Sequence, residues 1–419
     1  MTTLPEAHPV QARRWSVAAI RASLAGTSRL RYTLYVYLAS RLLYLLLAVV
    51  EMLVIGAFGS HTGLNSLSAS TVAHPTLGSE LSNWDGKWYL LTAAHGYDHR
   101  VYHHAGDYQT LGFMPLYPML MWALAQVTQI GNLGAGLALS LIFGAIATVL
   151  IAQLAEAWWG PERARRAILL WCFFPGTVVF SMVYTESLTL TLIASCLILL
   201  RRRRWAWAGL CAGAATAVAP VALSAIPVCA VAAGLELRER GWRDPEARRA
   251  LLAPLLSPLG AACFAIFLWF WTGSPLADYT AQHVEWSESS TPFAVPHVFF
   301  SIIQQLFISG GTHGPAGIDL NGILALAGTA FLFWGLKLMW DNRARIPVTA
   351  WVWTLCVALL ALTSSRTPPN PRMLVVTFPV VLAVGAALSG RGYRRALGWM
   401  ITTTVVITPI TYVGLWLRP

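Results

Sequence analysis

From residue 32 onward the chain repeats one pattern, an apolar run of several helical turns followed by a short polar burst. Apolar runs approaching about 20 residues predict helices that cross a bilayer. The pattern predicts eleven spans: 32–57, 133–157, 166–182, 184–201, 205–219, 221–236, 250–273, 321–341, 346–363, 371–389 and 395–416. The runs between 166 and 236 are short and broken by proline, so the expected number spans about 9–13. Three intervals break the rhythm: 58–132, 274–320 and 364–372. Long loops in a compact membrane protein usually carry structure or function of their own. Helical spacing predicts interfacial helices inside the first two. In Trp84–His95, Asn83 is the expected N-cap, Asp85 lies in the first turn and Gly96 ends the helix. Trp84, Trp88, Leu91 and His95 then share one face, an aromatic stripe suited to the membrane interface. Phe113–Gln126 and His297–Ser309 are the other two. No internal repeat is visible, which removes the main argument for a repeat-built transporter.

Composition agrees with the pattern. Of 419 residues 56% are hydrophobic and only 11% are charged, against roughly a quarter charged in soluble domains. Mean hydropathy is +0.58. A soluble globular protein cannot bury that much apolar surface, and disorder needs the opposite composition. The fold class expected is an all-α polytopic membrane protein.

The net charge of +11 changes the picture only after sorting by position. Cations cluster between apolar runs, as in Arg163/Arg165/Arg166, Arg201–Arg204, Arg238/Arg240/Arg243 and Arg391/Arg394/Arg395. That is the positive-inside signature of cytoplasmic loops rather than a nucleic-acid surface. It makes residues 1–31 a basic cytoplasmic tail and 32–419 a single membrane domain. With that orientation 23 of the 29 cations lie inside, and 58–132, 274–320 and 364–372 form the outer, active face. The N-terminus lacks the pattern of a cleavable signal and reads as a tail followed by a signal anchor. The Arg excess over Lys is a compositional hint of a GC-rich bacterial genome. The six cysteines each sit in an apolar run without metal or redox spacing.

The candidate chemistry lies in the outer intervals. Asp85, between Trp84 and Trp88, is placed to act as a general base for a sugar hydroxyl beside an apolar surface; a carboxylate complementing the helix dipole is the competing reading. Glu186, in Tyr184-Thr185-Glu186-Ser187, sits between two spans, where an ionisable group is costly and points to function; a hairpin tip resting in water is the alternative. Arg366 and Arg372 are scarce outer cations whose fork geometry suits phosphate oxygens, and Arg372 could equally be a snorkelling interfacial residue. His99 and His103 have i, i+4 spacing, but without a catalytic Glu they read as loop histidines. Gly112-Phe113-Met114-Pro115-Leu116-Tyr117-Pro118 places two prolines at a helix start.

Taken in order, these motifs resemble one family. Trp84-Asp85-Gly86-Lys87-Trp88-Tyr89, His95-Gly96-Tyr97, Phe113-Met114-Pro115-Leu116-Tyr117-Pro118, Phe174-Pro175 with Tyr184-Thr185-Glu186-Ser187-Leu188, Pro258-Leu259-Gly260, and Asn370-Pro371-Arg372 with Phe378-Pro379 look like the PIG-V-like mannosyltransferases, relatives of the second mannosyltransferase of GPI-anchor synthesis with many bacterial members. The resemblance implies a GT-C-type glycosyltransferase fold, a polyprenyl- or dolichyl-phosphate sugar as donor, and an essential Asp on the first outer loop, which by motif position is Asp85. One motif departs: where the family often shows Thr-Arg-Pro-Thr-Gly, this chain has Val218-Ala219-Pro220-Val221-Ala222, so any phosphate contact from that Arg must come from elsewhere.

The expected reaction is inverting transfer of mannose from a polyprenyl-phosphate donor to a glycolipid hydroxyl at the outer face of a bacterial plasma membrane, or of the ER membrane in a eukaryote. Asp85 would be the base. Arg372, helped by Arg366 or Lys87, would hold the phosphate, and Trp84, Tyr89, His95, Tyr117, Tyr184 and Glu186 would line the substrate site. No Gly-rich phosphate loop precedes a helix, so no nucleotide is expected. No cofactor is required by this scheme, and a divalent metal is optional. The rivals are the same chemistry on a protein Ser/Thr and, from another class, a polyprenyl-lipid flippase. Arg41 and Glu51, both set well inside the first span, lie ten residues apart, about 15 Å along a helix, and do not pair.

Overall fold

A computed structural model describes residues 17–62, 76–101, 109–307, 319–365 and 367–412. Among them the regular structure is helical, and the one β contact is an isolated bridge between Ser290 and Ser364. The helices in chain order are α1 (Val17–Thr62), α2 (Leu77–Leu81), α3 (Asp85–His95), α4 (Leu116–Thr128), α5 (Gly131–Trp159), α6 (Pro161–Cys172), α7 (Glu186–Arg201), α8 (Trp205–Thr216) and α9 (Ala225–Arg240). Then come α10 (Pro245–Arg249), α11 (Leu252–Leu256), α12 (Leu259–Thr272), α13 (Ala277–Thr280), α14 (Ala294–Phe307), α15 (Leu320–Asp341), α16 (Val348–Thr363), α17 (Pro371–Val376), α18 (Phe378–Ala387) and α19 (Gly390–Tyr412).

All eleven predicted runs fall largely on helix, but fewer qualify alone as spans. Five stretches are long and apolar enough to cross a membrane: Ser28–Val54, Gly131–Trp159, Pro220–Arg240, Pro245–Thr272 and Leu320–Asp341. A sixth is the pair Pro161–Cys172 and Pro175–Ser181, bent by 72°. The others fall short for a physical reason. A helix of 16 residues such as α7 or α16 is about 24 Å long, less than the roughly 30 Å of a hydrocarbon core. The chain is an integral membrane protein in which complete spans and shorter buried helices are mixed. The extreme case is α18, buried at every position from Phe378 to Ala386. It is apolar all round because it packs on all sides, against α6 and α15.

The interfacial helices form with shifted edges. The second begins at Leu116 after a 3-10 turn at Thr110–Gly112. The third begins at Ala294, and its expected end, Ser309, lies outside the described residues. The short helix α2 was not anticipated; Thr76 and Ser79 close a reciprocal capping box at its start.

Arg41 explains how the bent span is tolerated. At the break after α6 the main chain leaves helical bonding, and within a bilayer such groups need protein partners. Arg41, 6% exposed, supplies them. Its Nη1 donates to Thr177 O at 2.5 Å and its Nη2 to Cys172 O at 3.3 Å. Tyr44 Oη donates to Phe174 O at 2.7 Å, and the guanidinium lies over the Tyr44 ring, 4.6 Å from its centre. The buried cation that pairs with no acid in the sequence is thus a cap for freed carbonyls.

Candidate active site

Three segments that the pattern assigned to one face meet at one end of the bundle. The first is the turn before α3. Asn83 does not cap this helix, as its spacing had predicted; its side chain is drawn off to the carbonyl of Tyr412, at 2.6 Å. Trp84 is the N-cap residue and makes no side-chain cap bond. It has φ 60° and ψ −123°, a region a bulky L-residue rarely enters. The second segment is the start of α7, where Glu186 is the first helical residue. The third is the start of α17. Asn370 accepts from Met373 N at 2.9 Å as a true N-cap and Pro371 takes the first helical position, so the Asn-Pro-Arg order builds the helix start that presents Arg372. Gly176 lets this helix approach, because a Cβ there would overlap Pro371 O.

Arg372 joins the three. Its Nη1 donates to Asp85 Oδ2 at 2.6 Å, and its Nε donates to Glu186 Oε1. The guanidinium lies over the Tyr184 ring, 4.8 Å from the centre. Glu186 is not a water-exposed hairpin tip: its side chain is 6% exposed, against 18% for Arg372 and 30% for Asp85. Its second oxygen, Oε2, is buried with no bonding partner. Asp85 is the member of the triad most open to a substrate, and the three charges sum to −1.

Behind the triad the tyrosines form a buried scaffold. Tyr184 is fully buried, and its Oη accepts the Asp85 N–H at 3.2 Å. Tyr117, also fully buried, bonds Ser140 Oγ at 2.8 Å and Gly136 O at 3.0 Å, and Ser140 Oγ reaches Tyr184 O at 3.2 Å. Tyr89 packs edge-on against Tyr117 and Phe113; burial, with Asp85 beside it, pushes its hydroxyl pKa up. These three rings stand behind the charged groups rather than around an open sugar site. The buried face of α3 is Gly86, Tyr89, Thr92 and Ala93, and the Trp84/Trp88/Leu91/His95 stripe expected at the membrane interface lies outside it, half-buried at Trp84 and Trp88 and exposed at Leu91 and His95. Trp88 instead meets Trp286 edge-on at 5.3 Å, which brings the second long interval against the first.

The remaining candidates lie apart. His95 is exposed at the far end of α3, ten residues and about 15 Å along the helix from Asp85. Lys87 is exposed, two residues on and so turned away from Asp85 on the helix. It lies near Glu80, a buried carboxyl that desolvation pushes up to about 7 against the pull of Lys87. Arg366 lies outside the described residues, as do His103 and His104. The segment at Val218–Ala222 forms the break between α8 and α9, and Ala217 O accepts from Leu116 N at 2.9 Å. Among the described residues no group of three His, Cys, Asp or Glu is placed to hold a metal ion. A cavity of about 350 Å³ lined by Gln153, Leu154, Ile198, Arg201 and Arg202 opens at the other end of α7, about 22 Å from Glu186, and takes no part in this site. Ser140 and the anchoring role of Asn83 carried no signal in the sequence. The capping role of Asn370 did, in the order Asn-Pro-Arg ahead of an apolar run.

Comparison with known proteins adds three findings. The family model for mannosyltransferase (PIG-V) matches residues 30–309, a segment holding Asp85 and Glu186 but not Arg372. The GPI mannosyltransferase 2 of Drosophila pseudoobscura pseudoobscura is 30% identical over 121 residues, 26% of this chain and 25% of that protein; the match spans a quarter of the relative's length. Among solved structures, ArnT from Cupriavidus metallidurans in the apo state has 17% identity and a TM-score of 0.44, covering 82% of this chain and 61% of that one. The Archaeoglobus fulgidus oligosaccharyltransferase complex with Zn and sulfate has 12% identity and a TM-score of 0.44, covering 89% and 53%.

Proposed function

The chain belongs to the mannosyltransferase (PIG-V) family, and from that premise we propose that it is a lipid-dependent mannosyltransferase of GT-C type. It moves mannose from a polyprenyl-phosphate donor to a glycolipid hydroxyl at the outer membrane face, with inversion. The observation that carries this reading is the meeting of Asp85, Glu186 and Arg372 at one end of a helical membrane bundle. Asp85 Oδ1 takes the proton of the acceptor hydroxyl as that oxygen attacks the anomeric carbon, and the lipid phosphate departs on the opposite side. Oδ2 stays on Arg372, which fixes the carboxylate's orientation. Arg372 has engaged Nε and Nη1 and keeps Nη2 for a phosphate oxygen. Glu186 Oε2, desolvated and unpartnered, is an acceptor for a sugar hydroxyl, which would satisfy it on binding.

The test is turnover of labelled polyprenyl-phosphate mannose by purified protein in nanodiscs. Asp85→Asn should lower turnover by about 10²–10⁴, the usual worth of a general base, while the protein stays folded. Near-normal turnover by this variant would remove Asp85 from the role. Release of free polyprenyl phosphate with the wild-type chain separates transfer from flipping, which leaves the donor intact.

A further inference from the structure

The turn that presents Asp85 is held from behind by the last helix of the chain, 327 and 329 residues away in sequence. Trp84 Nε1 donates to Thr411 O at 3.0 Å and Asn83 Nδ2 donates to Tyr412 O at 2.6 Å. Both acceptors are main-chain carbonyls in the last described turn of α19. The helix is itself fixed: Tyr412 Oη donates to Tyr44 O at 3.3 Å, and two turns earlier Thr404 Oγ1 donates to Phe173 O at 2.9 Å. On the other side, Gly86 N–H closes onto Asn83 O at 3.2 Å, and Asp85 N–H reaches Tyr184 Oη at 3.2 Å. Between these ties Trp84 holds its positive φ. A backbone conformation of that kind persists in a bulky residue only where the surroundings over-determine it.

We propose that Trp84 and Asn83 are positioning residues for Asp85, and that α19 is part of the catalytic frame. Through the Thr411 and Tyr412 carbonyls the two side chains lock the strained turn whose next residue aims its carboxylate at Arg372. The role of Trp84 is that of an anchor rather than a stacking surface for the sugar. This assigns a function to a helix outside residues 30–309, the segment the family model matches. It rests on the reading of Asp85 as the base.

The experiment uses the full chain in nanodiscs with labelled polyprenyl-phosphate mannose. Trp84→Phe removes the indole N–H and keeps an aromatic ring; Asn83→Asp removes the amide donor and keeps its shape. Each should lower kcat about tenfold, the worth of one lost hydrogen bond, with KM for the donor within about twofold and, for Trp84→Phe, little change in melting temperature. A rise in KM at unchanged kcat would place Trp84 on the substrate and overturn the proposal. So would unchanged kcat in both variants, or a loss of kcat that only tracks a large drop in melting temperature. If Trp84→Phe does not fold, Asn83→Asp alone decides. Asp85→Asn runs alongside: if it keeps turnover, the base assignment fails whatever the other two show, whereas an inactive Asp85→Asn beside fully active Trp84→Phe and Asn83→Asp refutes the positioning role alone.

Discussion

Replacing Arg372 by Met tests whether the triad is held together as its geometry implies. The side chain keeps most of its length, so the change is chiefly one of charge and hydrogen bonding. Two carboxylates that now share one guanidinium would face each other without it. Glu186 suffers most, because its side chain is 6% exposed and its Oε2 already has no partner. Removing one member of a buried ion pair costs about 3–5 kcal/mol. For a chain of this size, at about 2 °C per kcal/mol, the melting temperature should fall by roughly 6–10 °C. The assay is thermal unfolding in nanodiscs, followed by tryptophan fluorescence. The diagnostic step is the second substitution. Glu186→Gln in the Arg372→Met background removes the stranded charge and should restore a large part of the loss, with a coupling energy of about 1–3 kcal/mol in the double-mutant cycle. Turnover stays lost, since Arg372 Nη2 is the proposed phosphate contact. If Arg372→Met melts within about 2 °C of wild type, at most about a third of the expected drop, or if Glu186→Gln restores nothing, then the three groups are not coupled and the site as described is wrong.

Three further outcomes are expected. Arg41→Met takes the guanidinium from the carbonyls of Cys172 and Thr177 at membrane depth, with the Thr177 hydroxyl still donating to Cys172 O, and should lower stability by about 1–3 kcal/mol, read as loss of folded protein after detergent extraction; Arg41→Lys should rescue little, since one ammonium cannot span both acceptors. Gly176→Ala forces a methyl against Pro371 O, so α17 and with it Arg372 must move; kcat should fall at least tenfold for a stability cost of about 1–3 kcal/mol. Glu80 has a folded-state pKa of about 7 against an ordinary 4.5. The folded state therefore holds its proton more tightly, and this contribution to stability is complete below about 4.5 and lost as pH rises through about 7, a total of roughly 3 kcal/mol. Glu80→Gln should flatten the melting temperature between pH 5 and pH 8, and an unchanged slope would mean that Glu80 is solvated.

Much of the fold could be read from hydrophobic runs, because a bilayer imposes one rule on every segment that enters it. Places where the reading faltered share a cause. The bent span at Pro175 and the short helix α7 do not obey the length rule, since neighbouring protein covers most of their residues. Arg41 shows the same from the side-chain end. In sequence it had no acidic partner, and its partners turned out to be the Thr177 and Cys172 carbonyls and the hydroxyls of Ser40, Thr177 and Ser181, a set no residue pattern displays. The aromatic residues around Asp85 misled for a related reason. Tyr117 and Tyr184, expected to line the substrate site, are fully buried, and their hydroxyls bond Ser140 and the Asp85 N–H.

The charged residues of the site had each been singled out, and each alone had an ordinary alternative: a helix dipole for Asp85, a wet hairpin for Glu186, a snorkelling cation for Arg372. What the sequence did not contain was their meeting, across separations of 186 and 287 residues. Scarcity of charge makes such a meeting more informative than in a soluble protein. With only 11% of residues charged, three ionisable groups brought into direct contact are not the by-product of a crowded surface. Their sum also constrains the chemistry. One guanidinium between two carboxylates leaves a net charge of −1 before any substrate arrives, and a lipid phosphate adds to it. Arg372 therefore cannot neutralise the donor by itself. In the proposed reaction, donor binding would therefore have to bring a further cation to the site from outside the triad.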